Sequence, residues 1–117
     1  MDVPTDAARL RIYIGHNDSY EDTPLADALV LKARELGLAG ATALRGILGY
    51  GRPSHAREAE LLLLSRDDPI LIEVVDVRPK IDAYLVAVEP MVRSGLVTIE
   101  NIRVLRYGAA TGQATLC

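Results

Sequence analysis

The run Leu44-Arg45-Gly46-Ile47-Leu48-Gly49-Tyr50-Gly51-Arg52 places three glycines and two arginines where an apolar strand opens into a loop. These residue types suit a phosphate or a carboxylate. Gly46, Gly49 and Gly51 let the backbone take positive φ and let a ligand come close to the main chain, while Arg45 and Arg52 each offer a planar fork of donors. The same run also reads as a bulged strand leading into a hairpin turn, with Arg45 in a cross-strand ion pair with Glu58 or Glu60. Spacing alone leaves both readings open.

Other reactive side chains form weaker patterns. His16 and His55 are the only histidines, both in expected turns, and with Asp18 and Glu58 as their near carboxylates they make a poor metal set and read as solvated loop residues. Ser54-His55 lacks an acid partner and a nucleophile elbow, and no pair of carboxylates stands at a catalytic spacing, so no enzyme is expected. The polar turn Gly15-His16-Asn17-Asp18-Ser19 follows a strand and lies where it could border a ligand.

Composition narrows the class further. The 117 residues carry 13 Lys+Arg against 16 Asp+Glu, a net charge of -3, which gives no basic field for nucleic acid. Hydrophobic residues make up 50 % with no Phe or Trp, so the core is aliphatic and single-stranded bases lack stacking partners. The single cysteine, Cys117, excludes an intrachain disulfide. With no basic-then-apolar leader and no apolar run of spanning length, a soluble cytoplasmic protein is expected.

These residues need elements to position them. Leu10, Ile12 and Ile14 alternate with polar neighbours and predict a strand over 8–15. Thr23 before Pro24 reads as a helix cap, Leu25, Ala28, Leu29, Ala33 and Leu36 recur at helical spacing, and Gly37 is a left-handed stop, which predicts a helix over 24–36. A strand over 41–48 follows, then a loop over 50–55, an apolar return over 59–64, and a strand over 70–75 that is apolar on both faces except at Glu73. Asp76 is placed to cap a second helix whose stripe is Ile81, Leu85, Val88 and Val92, with Pro90 loosening its last turn. The final strand over 97–107 changes alternation near Glu100-Asn101, which predicts a β-bulge or a change of covered face.

The order βαββαβ predicts an α+β, ferredoxin-like sandwich: two helices on one face of an antiparallel sheet. A single domain over 1–117 is expected, with its core over 8–107 and a flexible tail over 108–117. The apolar second face of the sheet predicts a homo-oligomer, closed by symmetry.

Five ordered motifs add a resemblance: Ile12 to Gly15, Leu38 to Thr42, Leu44 to Gly51, Pro69 to Asp76, and Gly95-Leu96-Val97-Thr98. Over Leu10 to Tyr107 the chain resembles the PII-like proteins of domain-of-unknown-function family 190. The resemblance implies a homotrimer that binds an adenine nucleotide in clefts between subunits and signals to a protein partner through a loop, here 49–55. That partner is unknown, and by analogy with PII relatives a membrane transporter is a candidate. Gly49-Tyr50-Gly51-Arg52 is similar to the Gly-Phe-Gly-Arg at the base of the PII effector loop, and Arg106 resembles the second arginine of the PII Arg-x-Arg-x-Gly end.

With Arg45, Gly46 and Gly95, these positions form the implied nucleotide site. Tyr50 is placed either to stack on a base or to stand as a half-exposed loop aromatic. The chain departs from the pattern where Ser94-Gly95-Leu96-Val97 replaces the lysine-bearing phosphate loop, and where Val104 holds the first arginine's position with Arg103 beside it on the opposite face. Fewer cations then face the distal phosphates, so AMP or ADP is expected over ATP, with no metal. The alternatives are a ligand-free interaction module and a divalent-metal-binding trimer using His16 or His55.

Overall fold

A computed structural model describes residues 5–46 and 68–105. Strand β1 (Thr5–Gly15) leads through a small ribbon, β2 (Ser19–Tyr20) and β3 (Thr23–Pro24), into helix α1 (Leu25–Glu35) and strand β4 (Ala41–Arg45). Strand β5 (Pro69–Asp76), helix α2 (Arg78–Val88), a 3-10 turn (Glu89–Met91) and strand β6 (Leu96–Val104) complete the second half. The four long strands form one sheet in the order β4-β5-β1-β6, antiparallel at each pairing. Two βαβ units therefore interleave, as the ferredoxin-like reading requires.

Alternation decides which face the helices cover. Leu10, Ile12 and Ile14 of β1 and Ile70, Ile72 and Val74 of β5 are buried, and they pack with Leu25, Leu29 and Ala33 of α1 and Ile81, Tyr84 and Val88 of α2. The odd positions face away. There the register lines up Leu44, Leu71, Tyr13 and Leu96 in one row across the sheet. Towards the middle, Arg11 faces Glu73 and donates to its carboxylate at 2.9 Å, and Arg9 faces and pairs with Glu100. The Arg9 guanidinium holds the Glu100 carboxyl below its usual range, and Glu73 raises Arg11. The open face is thus an apolar row beside an ion-paired centre, where a uniformly apolar surface was expected.

Several boundaries differ from the expectations for physical reasons. Strand β1 starts earlier than expected because Thr5 pairs with Val104 at the far end of β6. Thr23 does not cap α1: it belongs to the ribbon, Pro24 occupies the cap position, and the Leu25 N–H donates to the Asp18 carbonyl at 2.8 Å instead. Gly37 is left-handed as expected, at φ 74°, with its N–H bonded to Arg34 O and that of Leu38 to Ala33 O. This is the paired-bond ending that satisfies the last carbonyls of a helix.

Asp76 also differs from a simple cap. One carboxylate oxygen accepts from the Val77 N–H at 2.7 Å, the other from the Ala39 N–H at 2.9 Å, so the side chain ties the start of α2 to the segment between α1 and β4. The helix turns to 3-10 geometry at Pro90, where a proline lacks the N–H that an α-turn would use. No bulge interrupts β6: Leu96 to Val104 pair in unbroken register with Tyr13 to Thr5. Val97 and Ile99 therefore share the helix side of the sheet, and Ile102 and Val104 the open side. The expected return over 59–64 and the tail over 108–117 lie outside the described residues, as does most of the second strand beyond Arg45.

Candidate functional site

Antiparallel pairing gathers one set of strand ends: the ends of β1 and β4 and the beginnings of β5 and β6. An open cleft of about 650 Å³ lies there, bordered by the turn His16 to Ser19, by Asp22 and Asp27, and by Leu44 and Arg45. Arg45 stands opposite Ile70 on the helix side of the sheet, so its side chain faces the beginning of α1 and not the open face. Gly15 stands opposite Pro69 on the same partner strand, which brings His16 beside Arg45.

The turn is held by its own hydrogen bonds. Asp18 accepts from the Gly15 N–H through its carboxylate at 2.9 Å, and the His16 N–H donates to the Asp68 carbonyl at 2.7 Å. Arg45 Nη2 lies 2.6 Å from His16 Nδ1 and 3.1 Å from Nε2, while Arg45 Nε lies 4.0 Å from the Asp68 carboxylate. The partners of Arg45 are thus His16 and Asp68; Glu58 and Glu60, its expected partners, lie outside the described residues. Next to it, Glu21 and Asp22 take φ of 49° and 66°, the left-handed pair that a two-residue hairpin loop demands, and Asp22 forms part of the cleft wall.

The two glycines of the expected site that fall within the described residues, Gly46 and Gly95, have close-packing reasons. The Gly46 N–H donates to the Pro69 carbonyl at 2.7 Å, and a Cβ there would meet the Pro69 ring at 2.7 Å. A Cβ on Gly95 would meet the Tyr13 carbonyl at 2.7 Å and Val92 Cγ1 at 2.9 Å. Gly46 follows Arg45, which borders the cleft. Gly95 precedes β6, at the same end of the sheet but at its other edge, about 14 Å away by strand spacing, and it does not border the cleft. Gly49, Tyr50, Gly51, Arg52 and Arg106 of the expected site lie outside the described residues, as does His55.

The opposite end of the sheet carries a second depression of about 400 Å³. Arg78 there donates to Asp82 at 3.0 Å and to Asn101 at 3.3 Å, and Arg103 lies 3.8 Å from Asp6. Arg103 and Val104 occupy opposite faces of β6, as their adjacent positions in an unbroken strand require. Among the described residues no group of three or more His, Cys, Asp or Glu is arranged to hold a metal ion. His16 is the site member that sequence reasoning undervalued. Its one signal was its place in a polar turn at a strand end.

Comparison with known proteins places this geometry. The profile of the DUF190 family, described as "Uncharacterized ACR", matches residues 7–104. A UPF0166 protein of Aquifex aeolicus is 34% identical over 96 residues, covering 82% of this chain and 90% of that one. Among solved structures, CPII of Thiomonas intermedia K12 bound to ADP, AMP and acetate superimposes with a TM-score of 0.64 at 17% identity, covering 90% of this chain and 94% of that one. The same protein, described as a nitrogen regulatory PII-like protein and bound to ADP, AMP and bicarbonate, gives 0.63 at 20% identity, covering 89% of this chain and 92% of that one. At such identities the likeness speaks for the fold, and the profile match speaks for kinship: this chain belongs to the DUF190 family and has the PII-like ferredoxin fold.

Proposed function

We propose that the chain is a PII-like signalling subunit, cytoplasmic and without enzymatic activity, that binds an adenine nucleotide between the subunits of a homotrimer and reports its presence to a partner protein through the 49–55 loop. One observation carries the reading. Arg45 borders a cleft, with Gly46 next to it in sequence, on the strand end that leads into the Gly49-Tyr50-Gly51-Arg52 run, in a fold whose solved examples include one bound to ADP and AMP. Ligand contacts that order the loop would favour one partner-binding conformation over others.

Charge supports AMP or ADP over ATP. Among the described residues bordering the cleft, Arg45 is the one guanidinium, and it shares the wall with the carboxylates of Asp18, Asp22 and Asp27. Like charges about 4 Å apart repel by about 1 kcal/mol in water and about 4 kcal/mol at a protein surface, so each further phosphate is penalised.

Calorimetric titration tests the reading. AMP and ADP are expected to bind more tightly than ATP, and Arg52→Ala to weaken binding by about 10-fold or more, the loss of a charge-assisted hydrogen bond, without changing the oligomer mass. Absence of heat for all three nucleotides at high micromolar concentration would remove the nucleotide and leave the interaction-module alternative. Normal binding by the variant would remove Arg52 from the site.

A further inference from the structure

The depression at the far end of the sheet gathers cations on the helix side. Asn101 stands opposite Ala8, which has no exposed surface, and Arg103 stands opposite Asp6 two places along, so these side chains share the face that α2 covers. Arg78, the first residue of α2, reaches the same spot through its contact with Asn101. Two guanidiniums thus border one concavity of about 400 Å³, where Asp6 is the one carboxylate among the described residues of the wall. In a chain of net charge -3 this is a local reversal of sign.

Donors outnumber acceptors there. Arg78 donates from Nε to Asp82 at 3.0 Å and from Nη1 to Asn101 Oδ1 at 3.3 Å, which orients the guanidinium and leaves Nη2 without a hydrogen-bond partner among the described residues. Because the Asn101 oxygen faces that guanidinium, its amide nitrogen is turned away, with two N–H donors to offer. Arg103 Nε lies 3.8 Å from Asp6, beyond hydrogen-bond length, and both side chains stand largely in solvent, so the pair is loose. Asn101 and Arg103 are two residues apart on one strand face, about 7 Å, a span that an arginine side chain covers. A planar carboxylate fills one guanidinium fork, whereas a tetrahedral phosphate presents oxygens in several directions and can accept from two guanidiniums and an amide together.

We infer that Arg78, Asn101 and Arg103 form a second oxyanion site that takes a phosphate group, at the opposite end of the sheet from the cleft at Arg45. Arg78, braced by Asp82, receives the anion, and Arg103 leaves Asp6 to meet it from β6. Asp6 is the competitor that the ligand displaces. The site stands on its own residues and does not depend on the nucleotide reading. Its occupant is free phosphate or the phosphate group of a nucleotide, one chemistry from two sources.

Calorimetric titration of inorganic phosphate into the whole protein tests the site, at about pH 8 where phosphate is a dianion and with ionic strength held constant by chloride. Arg103→Gln and Arg78→Gln are each expected to weaken phosphate binding by about 10-fold or more, the loss of a charge-assisted hydrogen bond. Asp6→Asn is expected to strengthen it by about 3-fold, because the competing carboxylate is gone, a gain that a merely structural role of Asp6 would not produce. Arg34→Gln, which removes an exposed guanidinium from α1, is expected to leave the affinity unchanged. Should Arg78→Gln fold poorly, Arg103→Gln and Asp6→Asn, both at exposed positions, carry the test. Repeating the titration in excess AMP separates the sources: retained phosphate binding assigns the site to free phosphate, and lost binding assigns it to the phosphate group of the nucleotide. Phosphate binding that is absent at about 10 mM, equal in the native protein and both arginine variants, or weakened as much by Arg34→Gln as by Arg103→Gln overturns the site and leaves the cleft at Arg45 as it was.

Discussion

Glycine at position 95 has a packing reason of its own. The Tyr13 carbonyl and Val92 Cγ1 come so near that a Cβ would stand 2.7 and 2.9 Å from them. Gly95→Ala is therefore expected to lower stability by about 1–3 kcal/mol, the usual range for forcing atoms into packed space, read as a lower urea midpoint. An unchanged midpoint would mean that the segment after Val92 can move aside. The sequence shows that glycine permits a close approach without showing what approaches, and for that reason Gly46 and Gly95 were legible as special positions while their packing partners were not. Arg45 was legible as a candidate anion ligand. Its contact with His16 was hidden, because the two are 29 positions apart and meet only through their shared partner strand, β5.

Helices α1 and α2 meet at a buried phenol. Tyr84 has no exposed surface, and its hydroxyl donates to the Leu29 carbonyl of α1 at 2.8 Å. Burial raises its pKa well above the ordinary tyrosine value. Above about pH 10 an unfolded tyrosine loses its proton while the folded one keeps it, so stability has to fall as pH rises through this range. Tyr84→Phe is expected to cost about 0.5–1.5 kcal/mol near neutral pH and to lose this alkaline decline, measured by urea unfolding at about pH 8 and about pH 11. Equal decline in both proteins would place the alkaline sensitivity elsewhere. Apolar spacing made both helices legible, although Tyr84 displaces Leu85 as the most deeply buried residue of its turn. The ending of α1 was legible from Gly37 and its beginning was not, because the carbonyl that accepts from Leu25 belongs to Asp18, in the turn after β1. Strand β6 misled for a different reason. It lies at the sheet edge, where its residues are mostly exposed on both faces, so its apolar alternation could change phase without any change of register.

At the scale of the whole molecule, the antiparallel sheet with two helices on one face was legible from element order, while the character of the open face was not. Ion pairs such as Arg11–Glu73 become visible only once the register sets the two strands side by side. Strand β1 runs the full length of that sheet, about 33 Å from Gly15 at the cleft to Thr5 at the other end. Strand β6 ends beside Thr5, so Arg106, two residues past Val104, can reach no more than about 14 Å from there with backbone and side chain extended. One polypeptide cannot bring Arg106 and its own Arg45 to a common phosphate. Loss of either arginine should therefore be rescued by mixing: Arg45→Ala and Arg106→Ala polypeptides, each a weak binder alone, are expected to regain about a quarter of the native AMP capacity when unfolded and reassembled together in equal amounts, as equilibrium dialysis would read. Such complementation between two crippled partners would make binding a shared property, with no full share held by any single copy.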